Sequence, residues 1–484
     1  MKKLLISLFA GAAALNAAAV TPLWMRYASI SPDGKEIAFA YKGDLYKVNS
    51  AGGDAVRLTS NESMETAPVW SNDGKQIAFA SNRYGNYDVF VMPSNGGAAK
   101  RLTFNSANEM PSAFTSDDKA VLFSAALFDP AESVLAPEGV LSELYSINIA
   151  DGNIKQLLAT PAELVSLTKD GKKFVYQDAK GFENQWRKHH TSSVTRDIWE
   201  YDCITKKHTN LTNIGGEDRN PVYSSDEKSF FFLSERNGQS MNVYQASLAN
   251  PKDLKAVTDF KKHPVRFLSI SNNDLLCYTY DGEIYTQKVG EKPVKVSVNL
   301  VNDEQNSRKT LNLSSGISSA AVSPDGKQVA FVIRGEVFVT SVDYATTKRI
   351  TTTETGEAGV DFGKDNRSLV YSAERGGNWE IYRAKISRTD DLNFPNATII
   401  DEERLTPNDG KDRTNPQLSP DGKKLAFIEN EMKLMVMDLE SKKITQVTDG
   451  SMWYYDNFNY SWSPYGKWFA LEIGKHTSEL QSPG

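Results

Sequence analysis

An all-β fold, a six-bladed β-propeller followed by an incomplete second β-propeller of about three and a half blades, is what this sequence predicts. Three observations predict it. A five-residue turn phrase recurs ten times along the 484 residues, at intervals of 40 to 56 residues. A short apolar run follows most copies. No stretch sustains the hydrophobic period of a helix. Self-similarity on a scale of roughly 40–50 residues is the signature of four-stranded units set around an axis.

The phrase is turn chemistry. Ser31-Pro32-Asp33-Gly34-Lys35 opens the series, and clean copies stand at Ser71, Ser323 and Ser419. Looser copies start at Thr115, Thr168, Ser224, Ser271, Gly363 and Ser463. Ser suits the first position of a type I turn, Pro the second and Gly the fourth. The runs that follow, such as Ile37-Ala38-Phe39-Ala40 and Leu425-Ala426-Phe427-Ile428, are apolar on both parities. Such a strand is covered on both faces, as stacked sheets require. A second turn then carries Arg and Gly, as in Asn82-Arg83-Tyr84-Gly85 and Glu374-Arg375-Gly376-Gly377. A third strand follows, and the last strand ends in an aliphatic residue and Thr, as at Leu58-Thr59 and Leu405-Thr406. With the strand before each anchor, for example Ala67-Pro68-Val69-Trp70, every unit has four.

Boundaries follow from the spacing. Residues 1–19 read as a signal peptide: a Lys2-Lys3 n-region, an apolar stretch from Leu4 to Leu15, and small residues for cleavage near Ala17 or Ala19. The six-bladed propeller takes 20–301, a linker 302–310, and a truncated second propeller 311–474. Ordinary blade sequence stops after Ile473, so residues 475–484 read as an artefactual or disordered tail without further strands. Part of it resembles the translation of a sequencing-adapter oligonucleotide. The mature chain is expected to be exported, periplasmic or secreted, with no membrane span.

Composition excludes several classes. Hydrophobic content of 40% and charged content of 24% describe a folded chain. The net charge of −6 argues against nucleic-acid partners. Cys203 and Cys277, the two cysteines, fall in different blades and read as buried thiols. The five histidines include no zinc-type spacing, and His189-His190 would point to opposite faces of a strand. Gly316-Ile317-Ser318-Ser319-Ala320 imitates a nucleophile turn, but no helix pattern follows. The aromatic cluster from Trp453 to Tyr460 suits packing between blades. No catalytic, cofactor-binding or metal residue is therefore assigned, and no cofactor is expected.

The segment Val322 to Phe331, with Tyr371-Ser372-Ala373-Glu374-Arg375-Gly376-Gly377-Asn378-Trp379-Glu380-Ile381-Tyr382, resembles the N-terminal region of exported tricorn-like serine proteases of the Bacteroidetes type. The single blades are also TolB-like. The resemblance implies a six-bladed propeller, then a second propeller, then PDZ and protease domains that this sequence does not contain. It implies propellers that guide peptide or unfolded-protein substrates, a chain inactive by itself, and room for a homo-oligomer in the full-length protein. Two other readings stand beside it. One is a non-enzymatic TolB-like periplasmic propeller that binds protein or peptide. The other is the propeller of a prolyl-oligopeptidase-type peptidase.

Overall fold

The computed structural model describes residues 22–127, 141–181, 194–213, 215–236, 240–300, 315–448, 459–472 and 478–481. The signal segment, the 302–310 linker, His189-His190 and most of the Trp453 cluster lie outside the described residues. Among the described residues regular structure is strand almost throughout, the exception being one 3₁₀ turn at Phe394–Asn396. The described residues fall into two compact units, 22–300 and 315–481.

The recurrent turn explains itself atom by atom. Ser31 Oγ donates to Asp33 Oδ1 at 2.7 Å and accepts from Glu36 N at 3.0 Å. Asp33 Oδ1 accepts from Lys35 N at 3.0 Å, and Gly34 N donates to Ser31 O at 2.9 Å. The same set of side-chain bonds recurs at Ser71, Ser323 and Ser419. The fourth residue is left-handed, which Gly adopts without strain: φ is 75° at Gly34 and 71° at Gly326. Four copies put another residue there, namely Asp118, Glu227, Asp274 and Asn366, at φ of 55° to 58°. Each uses its side chain to hold the preceding turn. Asp118 accepts from Asn72 N at 2.7 Å, Glu227 from Lys169 N at 2.6 Å, Asp274 from Ser225 N at 2.7 Å and Asn366 from Asp325 N at 3.0 Å. A strained backbone is thus offset by a bond between successive sheets.

The aliphatic-Thr ending has a similar cause. The Oγ1 of Thr59, Thr103, Thr212, Thr258, Thr351, Thr406 and Thr448 accepts a backbone N–H near the start of the third strand, at 2.8–3.0 Å. The hydroxyl satisfies an amide that would otherwise be buried without a partner. The Arg of the second turn reaches an acid at the start of the first strand. Arg83 pairs with Glu65, Arg236 with Asp218 at 2.9 Å, and Arg375 with Glu357 at 3.7 Å. Each guanidinium also lies over an aromatic ring, with Arg375 4.1 Å from the Tyr382 centroid.

In the first unit these devices build six antiparallel sheets, beginning at Arg26–Ile30, Glu65–Trp70, Met110–Phe114, Glu163–Leu167, Asp218–Tyr223 and Arg266–Ile270. Each packs on the next, and the sixth packs on the first. Their seam carries backbone bonds from Met25 N to Gly282 O at 3.0 Å and from Asn272 N to Pro32 O at 2.8 Å. A fifth strand, Val298–Leu300, then joins the first sheet parallel to Gly53–Arg57. Its Val298 and Val296 sit in one core with Phe39, Ile37, Cys277 and Ile284. Gly52 is required there, because a Cβ would come within 2.8 Å of Ser297 O.

The second unit has three four-stranded sheets, beginning at Ile317–Val322, Glu357–Phe362 and Arg413–Leu418, and a three-stranded one. Its first sheet has one bare face. Val322 is 62% exposed, whereas Phe362, at the same place before its turn, is 5% exposed. The chain end departs from the sequence expectation. Ser478–Gln481 is a strand, antiparallel to Phe469–Glu472, so the tail read as strandless supplies a third strand to the last sheet. The physical reason is that the edge of Phe469–Glu472 offers unpaired backbone groups, which any extended segment can satisfy. Cysteine departs too. Cys277 is buried, but Cys203 is only half-buried, and neither is bridged.

Candidate functional site: a neutral cavity in the first unit

The first strand of all six sheets lines one cavity of about 310 Å³. That volume lies at the small end of the usual range for ligand sites. All six strands break register against their neighbour. At five of these bulges a residue other than Gly is left-handed: Tyr27, Ala67, Leu164, Asn220 and Phe267, with φ of 49° to 57°. The remaining strand, Met110–Phe114, bears Pro111 beside its register shift. All six residues line the cavity. Side chains in this conformation are uncommon, and clusters of them mark places where the backbone is held for a purpose. Here the bulges set these side chains around the cavity.

Chemically the cavity is quiet. Of the described residues that line it, only Lys169 and Glu227 are charged. Both are committed, since Lys169 Nζ donates to Ser225 O at 2.6 Å and Lys169 N donates to Glu227 Oε1 at 2.6 Å. Tyr27 and Phe267 face each other with ring centroids 4.4 Å apart. Most of the lining hydroxyls that look like nucleophile candidates are structural. Ser166 Oγ accepts from Tyr223 N at 3.3 Å, and Ser269 Oγ accepts from Ile30 N at 3.1 Å. Ser112 Oγ is buried without a hydrogen-bond partner.

Residues weighed in the sequence have structural places. Ser318 and Ser319 lie in the strand Ile317–Val322, and Ser319 Oγ accepts from Val360 N at 3.1 Å. His208 Nδ1 meets Tyr176 Oη at 2.8 Å, and burial lowers its pKa. Burial pushes the Cys277 thiol up to about 12, so it stays protonated. Among the described residues no group of three or more His, Cys, Asp or Glu is placed to hold a metal. No helix among them is long and apolar enough to cross a membrane. The cavity itself was not legible, because bulges occupied by Tyr, Ala, Leu, Asn and Phe leave no glycine signal.

One buried acid has a pH consequence. Glu109, 0% exposed, loses solvent, and this pushes its carboxyl up to about 7, with the Asp88 charge adding to the effect and Thr103 and Arg101 opposing it. The folded state then binds a proton that the unfolded state releases near 4.5. Stability is greatest below that pH and declines as pH rises to about 7, by up to about 3 kcal/mol. Glu109→Gln is expected to match the parent near pH 5 and to exceed it in denaturant midpoint at pH 8. Equal midpoints at both pH values would contradict this.

Repeated four-stranded sheets whose first strands surround one open cavity define a protein of the β-propeller class. A family model described as the Tricorn protease N-terminal beta propeller domain matches residues 22–293, and one described as the TolB beta propeller domain matches 284–472. The first match covers more than half of the sequence, and the chain belongs to the tricorn N-terminal β-propeller family. It is 22% identical over 363 residues to a Tricorn protease homolog of Saccharolobus solfataricus, covering 70% of this chain and 30% of that protein. It is 38% identical over 68 residues to Dipeptidyl-peptidase 5 of Porphyromonas gingivalis, 12% of this chain and 10% of that protein. A crystal structure of the tricorn protease shares the fold at a TM-score of 0.51 and 18% identity, over 95% of this chain and 43% of that one. The chain thus spans less than half the length of these relatives.

Proposed function

We propose that this chain is the substrate-channelling propeller region of a tricorn-like, exported serine peptidase. The observation that carries the proposal is the cavity lined by the first strand of every sheet in the first unit. Six sheets, the sixth packed on the first, act as one finished six-bladed ring around a passage for extended polypeptide. Extended chains suit such a passage because they need little width and can bond to strand edges and hydroxyls along the way. The second unit acts as an incomplete ring, and the bare face at Val322 is where another sheet would pack. Catalytic groups would belong to residues outside this sequence, and the leader at 1–19 would direct export. The test is direct. Residues 20–484 are expected to bind a fluorescent unfolded peptide mixture and to hydrolyse none of it. Ala67→Trp, which narrows the cavity, is expected to lower binding at least tenfold. Serine-directed hydrolysis, or binding unchanged by Ala67→Trp, would contradict the reading.

A second reading has one observation in its favour. The TolB propeller match at 284–472 supports a non-enzymatic, periplasmic binding propeller. It differs in expecting no protease partner sequence for this chain, and binding of a folded protein in place of unfolded peptide.

A further inference from the structure

We propose that Glu109 is a proton-operated latch between the second and third sheets of the first unit, closed while its carboxyl is protonated and loosened when it ionises. The latch acts on the cavity wall. Met110–Phe114, the strand that follows Glu109 directly, supplies Pro111, Ser112, Ala113 and Phe114 to the lining. The proposal is independent of what enters the cavity.

Its first support is a substitution within the repeat. Glu65, Glu109, Asp218 and Glu357 each stand six residues before a turn phrase. Glu65, Asp218 and Glu357 pair with Arg83, Arg236 and Arg375, each 18 residues further on. For Glu109 that place holds Leu127, which packs on the apolar core shared by the second and third sheets. The sequence from 128 to 140 brings no Lys, Arg or His.

The second support is the count of charges at this seam. The side chains that act on Glu109 come from the second sheet: Thr103, Asp88 and Arg101. Thr103 Oγ1 already accepts from Val89 N at 2.8 Å. Arg101 Nη2 lies 2.9 Å from Asp88 Oδ2, and its guanidinium is held 4.2 Å from the Tyr84 ring centroid and 4.6 Å from that of Phe104. In the third sheet Glu143 accepts from Tyr145 Oη at 2.5 Å and Gln156 Nε2 at 2.6 Å. Two carboxyls, Asp88 and Glu109, thus meet one guanidinium. Glu109 is fully buried, and neither of its carboxyl oxygens has a hydrogen-bond partner. A charge so placed is costly, and the carboxyl avoids it by keeping its proton. Its rise to about 7 agrees with this. Above that pH the ionised side chain gains by moving toward water. The bond from Glu109 N to Tyr87 O, 2.7 Å across the seam, then loosens with it.

Hydrogen exchange of residues 20–484 at pH 5.5 and pH 8, corrected for the intrinsic rate at each pH, tests the latch. The internal reference is the Glu65 amide, which makes the same bond to Gly43 O at 2.8 Å across the preceding seam. Protection of the Glu109 amide relative to the Glu65 amide is expected to fall at least tenfold between the two pH values. Glu109→Gln, which cannot ionise, should hold the ratio constant. Leu127→Arg, which returns the guanidinium, should do the same with Glu109 in place. A ratio in the unaltered protein that does not change with pH, whether both amides fall or neither does, would overturn the latch. So would a tenfold fall that persists in Glu109→Gln. The comparison within the unaltered protein decides even if a variant folds poorly.

Discussion

Arg413→Ala is expected to cost the second unit about 3–5 kcal/mol, the usual loss when one member of a buried charge pair is removed. Arg413 is 1% exposed and among the largest fully buried side chains. Its Nη1 donates to Pro407 O at 2.9 Å, its Nη2 to Asp409 Oδ2 at 2.8 Å and its Nε to Glu429 Oε2 at 3.2 Å. Truncation leaves Glu429, 4% exposed, with Lys411 at 2.9 Å as its remaining cationic partner, and opens a cavity beside Phe427. For a unit of this size the loss corresponds to a fall in Tm of about 10 °C. Calorimetry of the full chain checks it, because the effect should fall on one transition and spare the other. A change below about 1 kcal/mol would contradict the packing described.

The second large effect is expected at the strap that follows the sixth sheet. Val298→Asp should detach Val298–Leu300 from Gly53–Arg57 and cost the first unit at least about 3 kcal/mol. Val298 is 1% exposed, and burying a side chain of its kind contributes about 1.5–3 kcal/mol. A carboxylate in its place adds an unpaired charge among Ala55, Phe39 and Cys277. Asn299→Ser, at the half-buried neighbouring position whose amide meets Asp54 Oδ1 at 3.3 Å, is the control and should change little. Equal denaturation midpoints for the two variants would show that the strap contributes nothing to the first unit.

Much of this fold was legible because its turns carry their own chemistry. Ser-Pro-Asp-Gly located the first-to-second strand turn, and even the worn copy at Ser271 forms it, with Ser271 Oγ donating to Asn273 Oδ1 at 2.5 Å. The Arg turns and the Leu-Thr endings were visible as patterns, but their partners were not. Arg236 and Asp218 are 18 residues apart, and nothing local links them. The cavity was hidden for a related reason. A left-handed Leu164 or Phe267 obeys no residue preference, since the register shift is imposed by the neighbouring strand and by packing across sheets. The strap was hidden as well, because Val298–Leu300 pairs with a strand some 245 residues earlier. The short last strand, Ser478–Gln481, escaped because Leu480 is its one apolar residue, so its composition does not mark a strand.

Hydrogen exchange at the seam of the first unit tests the central claim most directly. Three amides bridge it: Met25 to Gly282 O, Ile30 to Ser269 Oγ and Asn272 to Pro32 O. A finished ring requires all three to be protected to the level of core strand amides such as Phe39 and Phe232, and to open together with them. Exchange of these three at the rate of exposed loops, while Phe39 and Phe232 stay protected, would mean that the sixth sheet does not close on the first.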